Sequence, residues 1–317
     1  VHDPQRRYGD DVLVLDGSRT AALPGLLNGH THTAMAMMRG YADDMPLMPW
    51  LEEKIWPFEA RLTEEDVYWG ARLGCLEMIR TGTTFFNDMY WFFHATARAA
   101  RDSGLRAVLS GTFIDMGNEE ECRKQIESNE RLIEAAGQYG DRIGFAFGPH
   151  ALYTVSELGL RWVADESSRR GIPVHMHLSE TLGEVDSWVE AHGARPVEYA
   201  DRMGLLTERL MGAHAVHLTD DEIKVLAERG VNVLHNPVSN LKLASGGPMR
   251  YAELKAEGVN VLLATDGAAS NNNLDLFEEM KFASLVAKHA SGDPTAMPAS
   301  EALSLATRNP ARALGID

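Results

Sequence analysis

Pro24-Gly25-Leu26-Leu27-Asn28-Gly29-His30-Thr31-His32 is a short apolar run that follows a Pro-Gly turn and closes on two histidines. Side chains alternate along a strand, so positions two apart share a face. His30 and His32 therefore project together at the C-terminal end of a first strand. A lone histidine is most often a packed or surface residue; two at this spacing are more specific for a metal ion. Outward from this stretch, apolar runs alternate with amphipathic segments. Candidate strands end near Leu27-Asn28, Phe86, Leu109, Phe147, His177, Ala213, Leu234 and Ala264-Thr265. Thr63-Glu64-Glu65-Asp66 starts a helix, with a capping Thr and acids that suit the positive end of the helix dipole. Thr219-Asp220-Asp221-Glu222 repeats that pattern, and Arg80-Thr81-Gly82-Thr83 ends a helix on a base and a glycine. Strands alternating with helices, without hairpin signals, predict a closed parallel (β/α)8 barrel over residues 23–317, the TIM-barrel architecture. A doubly wound open sheet is the alternative, but no GxGxxG or GxxxxGK[ST] follows the first strand.

The chain has 317 residues, 44% of them hydrophobic, enough for one large core. Its formal net charge of −16 repels nucleic-acid phosphate and anionic lipid, so neither is an expected partner. Cys75 and Cys122 are far apart with no CxxC spacing, which argues against a disulfide framework or a thiolate zinc site. The N-terminal residues lack the apolar core of a signal peptide, and no run is long enough to span a bilayer; a cytoplasmic location is the default expectation. Association into a homo-oligomer is compatible with the sequence. Tyr41–Phe58, rich in Met, Pro and Trp, is too long for a simple βα turn and is expected to cover a barrel-top site.

Two further stretches carry chemistry. In His175-Met176-His177-Leu178-Ser179-Glu180, His177 stands at a strand end, level with the expected ion. His175 shares its face but lies deeper, as a packed residue or an outer partner of a ligand. Glu180 is placed to reach a substrate above the metal; otherwise it is an exposed loop acid. In Val261-Leu262-Leu263-Ala264-Thr265-Asp266-Gly267, Asp266 closes an apolar strand at the barrel mouth. Alone it reads as a turn Asp before Gly, but three histidines at other strand ends favour a ligand. His214 ends the sixth strand and is a candidate for orienting the attacking hydroxide. His235 and His150 end strands seven and four and are expected to line the pocket. His217 is expected to face solvent, and His2, His94, His192 and His289 are expected at the surface. Barrel enzymes keep their sites on the face where these residues gather.

The chain resembles the amidohydrolase superfamily over nearly its whole length, and within it the 5′-methylthioadenosine/S-adenosylhomocysteine deaminases. The resemblance rests on residues 24–32 and on His177-Leu178-Ser179-Glu180-Thr181. It also rests on His235-Asn236-Pro237-Val238-Ser239-Asn240-Leu241-Lys242-Leu243 and Thr265-Asp266-Gly267-Ala268-Ala269-Ser270-Asn271-Asn272. It implies one divalent ion, zinc or in some members iron, at His30, His32, His177 and Asp266. Glu180, His214 and Asp266 match the family's catalytic positions, and Trp50, Glu59, His150 and Glu180 its substrate contacts. There the Glu59 counterpart binds ribose hydroxyls and the His150 counterpart a purine nitrogen. The expected reaction is hydrolytic deamination at C6 of an adenine nucleoside. Binuclear relatives bridge two metals with a lysine at the fourth strand; Phe147-Gly148-Pro149-His150 has none, which favours one metal. Relatives add a β-sandwich built from both chain ends; residues 1–22 read as its N-terminal remnant, the rest being largely absent from this chain. Relatives that take S-adenosylhomocysteine place two arginines near its carboxylate, whereas here Gln125 aligns with the second, so uncharged 5′ groups are expected. Guanine deamination or triazine-type ring hydrolysis would use the same metal set. A non-catalytic barrel scaffold would be expected to have lost it.

Overall fold

The computed structural model describes residues 13 and 15–316. Eight parallel strands follow one another around a single sheet: β1 (Leu26–Thr31), β2 (Thr83–Tyr90), β3 (Arg106–Phe113), β4 (Ile143–Pro149), β5 (Val174–Leu178), β6 (Leu210–His214), β7 (Asn232–His235) and β8 (Asn260–Leu263). Helices between successive strands cover the outside, as the (β/α)8 reading requires. Both capping boxes read in the sequence are formed: Thr63 with Asp66 ahead of the Glu64–Arg80 helix, and Thr219 with Glu222 ahead of Asp220–Glu228.

Three strands run further than their apolar residues suggest. β1, β2 and β3 extend to Thr31, Tyr90 and Phe113, about one helical turn's worth of residues beyond Asn28, Phe86 and Leu109. The extensions carry polar residues that a barrel can satisfy internally. Asn28 Nδ2 donates to Thr265 Oγ1 (2.7 Å) and Asn87 Nδ2 to the Gly29 carbonyl (2.9 Å). Asp88 accepts from the Thr33 amide (2.6 Å), and Ser110 Oγ lies 3.1 Å from His175 Nδ1. Below this polar layer Met211, Ala213, Leu234, Leu262 and Ala264 form a dry cluster. Met211 and Ala213 are in register with His175 and His177, so they share the inward face and make the floor of the site.

The join between β8 and β1 differs from the others. Strand ladders link β1 through β8 in order. Across the seam, the Asp266 amide donates to the His30 carbonyl (3.0 Å) and side chains supply the rest. Asn28 Oδ1 accepts from the Thr265 amide (3.1 Å), and Thr31 Oγ1 donates to the Asp266 carbonyl (3.0 Å).

The Tyr41–Phe58 region folds over the barrel mouth as expected. Leu47–Trp50, Leu51–Ile55 and Trp56–Glu59 run on as one helical segment, with a π turn in the middle. Of the N-terminal remnant, residues 1–12 and 14 lie outside the described residues, and among the others no strand precedes Leu26. No described helix is long and apolar enough to cross a membrane.

Candidate active site

His30, His32 and His177 converge above the barrel floor, with ligand atoms all within 4.8 Å of one another. Asp266 Oδ1 lies 3.2 Å from His30 Nε2 and 3.3 Å from His32 Nε2, and the Nε2 atoms of His32 and His177 are 3.3 Å apart. Each imidazole has its other nitrogen tied down. His32 Nδ1 is 2.5 Å from the Met89 carbonyl, and His177 Nδ1 is 2.8 Å from the His150 carbonyl. His30 Nδ1 meets His175 Nε2 at 2.6 Å. A carbonyl only accepts, so at His32 and His177 the proton sits on Nδ1 and the Nε2 lone pair faces the centre. Burial holds His30 down to about 4 and His177 well below the usual histidine range, so both are neutral. His30 Nε2 is buried without a hydrogen-bond partner. Imidazole nitrogens of His30, His32 and His177 and one carboxylate converging on a point fit a divalent cation of the zinc type.

Asp266 is ionised. Burial opposes its charge, but His30 and the other histidines hold it well below the usual carboxylate range. Ser239 Oγ (2.6 Å) and Ser270 Oγ (2.9 Å) donate to Oδ2, and the Gly267 amide (2.8 Å) to Oδ1. His214 accepts at Nδ1 from Asn240 Nδ2 (2.9 Å) and lies 3.3 Å from Asn236 Nδ2. Its Nε2–H therefore points at the site, 3.6 Å from Glu180 Oε2. Burial and the Asp266 charge push Glu180 up to about 8, so it carries a proton at neutral pH. Ser179, His214, Ala215 and Asp266 all adopt left-handed backbone, φ 49°, 75°, 47° and 63°. Such conformations cost a non-glycine residue about 1–3 kcal/mol and cluster where surrounding structure holds a functional group in place. Here the holding bonds include Ala215 amide to Leu178 carbonyl (2.9 Å) and Ser179 amide to Glu184 Oε1 (3.2 Å).

Above the cluster lies a cleft lined by Trp50, Glu59, His150, His177, Glu180, His214 and Asp266 among others. Glu59 accepts from Trp91 Nε1 (3.0 Å), and burial raises its pKa. His150 Nδ1 lies 3.0 Å from Thr154 Oγ1, and burial lowers its pKa to about 3. A second cleft shares Trp56, Glu59, Trp91 and Ile114 with the first and adds Ala60, Leu62, Phe92, Met116 and Thr154; Glu59 is its one ionisable lining residue. Gln125 lies outside both clefts with its amide on Glu121, and Arg123 is exposed and paired with Glu119 at 3.0 Å.

Residues 21–317 match the amidohydrolase family. The chain belongs to that family. This amidohydrolase is 53% identical over 312 residues to a 5′-deoxyadenosine deaminase of Methanoregula boonei, covering 98% of this chain and 71% of the relative. It is 48% identical over 304 residues to a 5-methylthioadenosine/S-adenosylhomocysteine deaminase 1 of Archaeoglobus fulgidus, covering 96% and 72%. A crystal structure of an adenosine deaminase from Xanthomonas campestris with bound zinc superposes with a TM-score of 0.87 at 41% identity, covering 92% of this chain and 67% of that one.

Several histidines of this amidohydrolase differ from their expected places. His217 is half-buried, not solvent-facing, with Nε2 2.6 Å from the Ser245 carbonyl. His94 is half-buried against the Tyr139 hydroxyl (2.7 Å). His235 is buried but does not line the cleft; the next residue, Asn236, reaches His214 instead. His192 and His289 are exposed as expected, and His2 lies outside the described residues. The sequence reading missed Asp88, because β2 was ended before it, and gave no role to Ser239, Asn240 and Ser270. Those three lie within the quoted 235–243 and 265–272 motifs, so the signal was present without its geometry.

Proposed function

We propose that this amidohydrolase removes the 6-amino group of a 5′-modified adenosine by hydrolysis, giving the inosine analogue and ammonia. One divalent ion, zinc in the first instance, is held by His30, His32, His177 and Asp266. The observation that carries the reading is a buried carboxyl, Glu180, 3.6 Å from His214 Nε2 and beside that ligand set, inside a cleft walled by Trp50 and His150. The names of the relatives agree with it.

A divalent cation in this position supplies a reactive water at neutral pH, lowering the water pKa from about 15.7 toward about 7. Asp266 takes a proton from the attacking water. Glu180 delivers its proton to ring N1, which makes C6 of the otherwise unreactive adenine electrophilic. His214 presents Nε2–H to the oxygen developing at C6. The proton taken by Asp266 passes to the exocyclic amine, the C6 hydroxyl returns its proton to Glu180 as C6=O forms, the C6–N bond breaks, and ammonia leaves. Glu59 accepts from the ribose hydroxyls, and His150 contacts a purine nitrogen. A free base such as guanine offers Glu59 no diol, which favours a nucleoside over the alternative ring substrates.

The second cleft takes the 5′ substituent. Its wall is apolar apart from Thr154 and the acidic Glu59. A substrate carboxylate there gains no cationic partner and meets a like charge, which is unfavourable in a partly closed site. The preferred substrates are accordingly 5′-methylthioadenosine, 5′-deoxyadenosine or adenosine. Comparing kcat/KM for 5′-methylthioadenosine, S-adenosylhomocysteine and guanine, with metal content measured alongside, tests the reading. Turnover of guanine alone would overturn it, and a clear preference for S-adenosylhomocysteine would overturn the 5′ assignment.

A further inference from the structure

Glu279 lies on the Leu276–Ser291 helix outside the barrel, is fully buried, and has no part in the reaction above. A buried carboxyl is costly unless its oxygens are engaged. Both oxygens of Glu279 are engaged, each with a different segment of the barrel mouth. Oε2 accepts from the Val238 amide (3.2 Å), at the start of the Pro237–Lys242 helix that follows β7. Oε1 accepts from Asn271 Nδ2 (2.5 Å), in the short helix that follows β8.

These two segments carry the partners of the site. Pro237–Lys242 contributes Ser239, which donates to Asp266 Oδ2, and Asn240, which donates to His214 Nδ1. The segment after β8 contributes Ser270, also on Asp266 Oδ2, while Asn271 Nδ2 donates to the Thr265 carbonyl (2.7 Å) just before Asp266. The two segments are also linked through Ser239 on Asp266 itself (2.6 Å) and, nearer the surface, through Lys242 on the Ala269 carbonyl (3.1 Å) and Asn272 Oδ1 (2.8 Å).

We propose that Glu279 is a positioning residue: it fastens the β7 and β8 loops to each other and so fixes Asp266 and His214. The proposal rests on Asp266 being a metal ligand. Partners one bond removed from a metal ligand typically matter by 10–100-fold in metal affinity or activity. Glu279 acts one step further out but on two such partners at once. Burial pushes its carboxyl well above the usual carboxylate range. Gln keeps the shape but sets an NH2 group against one of the two N–H donors, so it can hold only one of the bonds, whereas Leu fills the volume without either.

The test measures zinc dissociation constants by chelator competition, together with the visible absorption of the cobalt-loaded protein, for the wild type, Glu279→Leu and Glu279→Gln. Glu279→Leu is expected to weaken zinc about tenfold or more and to shift the cobalt bands, with unchanged far-UV circular dichroism. Glu279→Gln, which can accept from one segment only, is expected to lie between the wild type and Glu279→Leu in affinity and spectrum. If Glu279→Leu does not fold, Glu279→Asp, one methylene short of both partners, must move zinc affinity and spectrum in the same direction. Wild-type zinc affinity and cobalt bands in the folded Leu or Asp variant would overturn the proposal. Failure of the wild type itself to bind zinc would instead overturn the metal site on which it rests.

Discussion

His175 Nε2 lies 2.6 Å from His30 Nδ1, and His175 Nδ1 lies 3.1 Å from Ser110 Oγ, both contacts sealed inside the barrel. For His30 to offer its Nε2 lone pair, its proton must sit on Nδ1 and be given to His175. That leaves His175 protonated on Nδ1, with Ser110 as acceptor. The relay admits one tautomer at each ring, and it ends on a hydroxyl that belongs to β3, a strand with no ligand of its own.

His175→Leu removes the acceptor that fixes His30. Zinc retained after dialysis against a chelator is expected to fall, in line with the roughly 10–100-fold cost of losing such a partner. Retention equal to the wild type would show that His30 needs no orienting partner.

Glu180→Gln keeps the shape of the protonated acid but cannot release a proton. Zinc content should stay at the wild-type value while kcat drops about 10²–10⁴-fold. In the wild type, kcat/KM should fall on the alkaline side as Glu180, whose pKa burial raises, loses its proton. Near-normal turnover in the variant would remove Glu180 from the proton path.

Glu59→Ala is expected to lower kcat/KM for adenosine analogues far more than for free adenine, since only the former carry a ribose diol. Equal losses on both substrates would mean that Glu59 acts through the order of the Leu47–Glu59 segment.

The stability of the metal-free protein should peak near pH 6–7. Burial depresses His30, His150, His175, His177, His214 and His235, to about 4 for His30 and about 3 for His150 and His235. The unfolded chain therefore binds more protons below the ordinary histidine pKa of about 6.5, and stability rises with pH over that range. Burial raises Asp88 to about 6, Glu184 to about 7 and Glu180 to about 8, with Glu59 and Glu279 raised likewise. Their contribution is present at low pH and is lost as pH climbs through those values. The rise due to the histidines ends at about pH 6.5, and above it the raised carboxyls make stability fall. Thermal melts of the chelated protein from pH 5 to 9 would show this peak; a melting temperature still rising at pH 8 would contradict it. Zinc should move the peak upward, because its ligands bind deprotonated.

The barrel and the clustering of the candidate ligands are legible because both depend on local periodicity. His30 and His32 two apart on one strand, His177 closing another, and Asp266 before a glycine are patterns that need no long-range information. What the sequence hid was the polar interior. Asn28, Asn87, Asp88 and Ser110 look like strand terminators in an apolar count, yet each is satisfied by a residue on a neighbouring strand or loop. His217 and His235 were misplaced for a related reason. Which of two neighbouring residues turns toward the site is decided by left-handed backbone and loop contacts, as at His214 and Ala215, and not by strand alternation.

The seam between β8 and β1 has a kinetic consequence. From β1 to β8 adjacent strands are joined by registered backbone pairs, down to one between β4 and β5, but here the circle is closed chiefly through Asn28, Thr31, Thr265 and Asp266. This side-chain seam runs directly under the candidate ligands, with His30 and His32 on one bank and Asp266 on the other. An ion bridging those banks would act as a rivet across the gap, and its exchange with solvent would be gated by how often the gap breathes. Amide hydrogen exchange along Leu27–His30 and Leu263–Asp266 should then be the fastest of any barrel strand in the metal-free protein, and should slow most when metal is added.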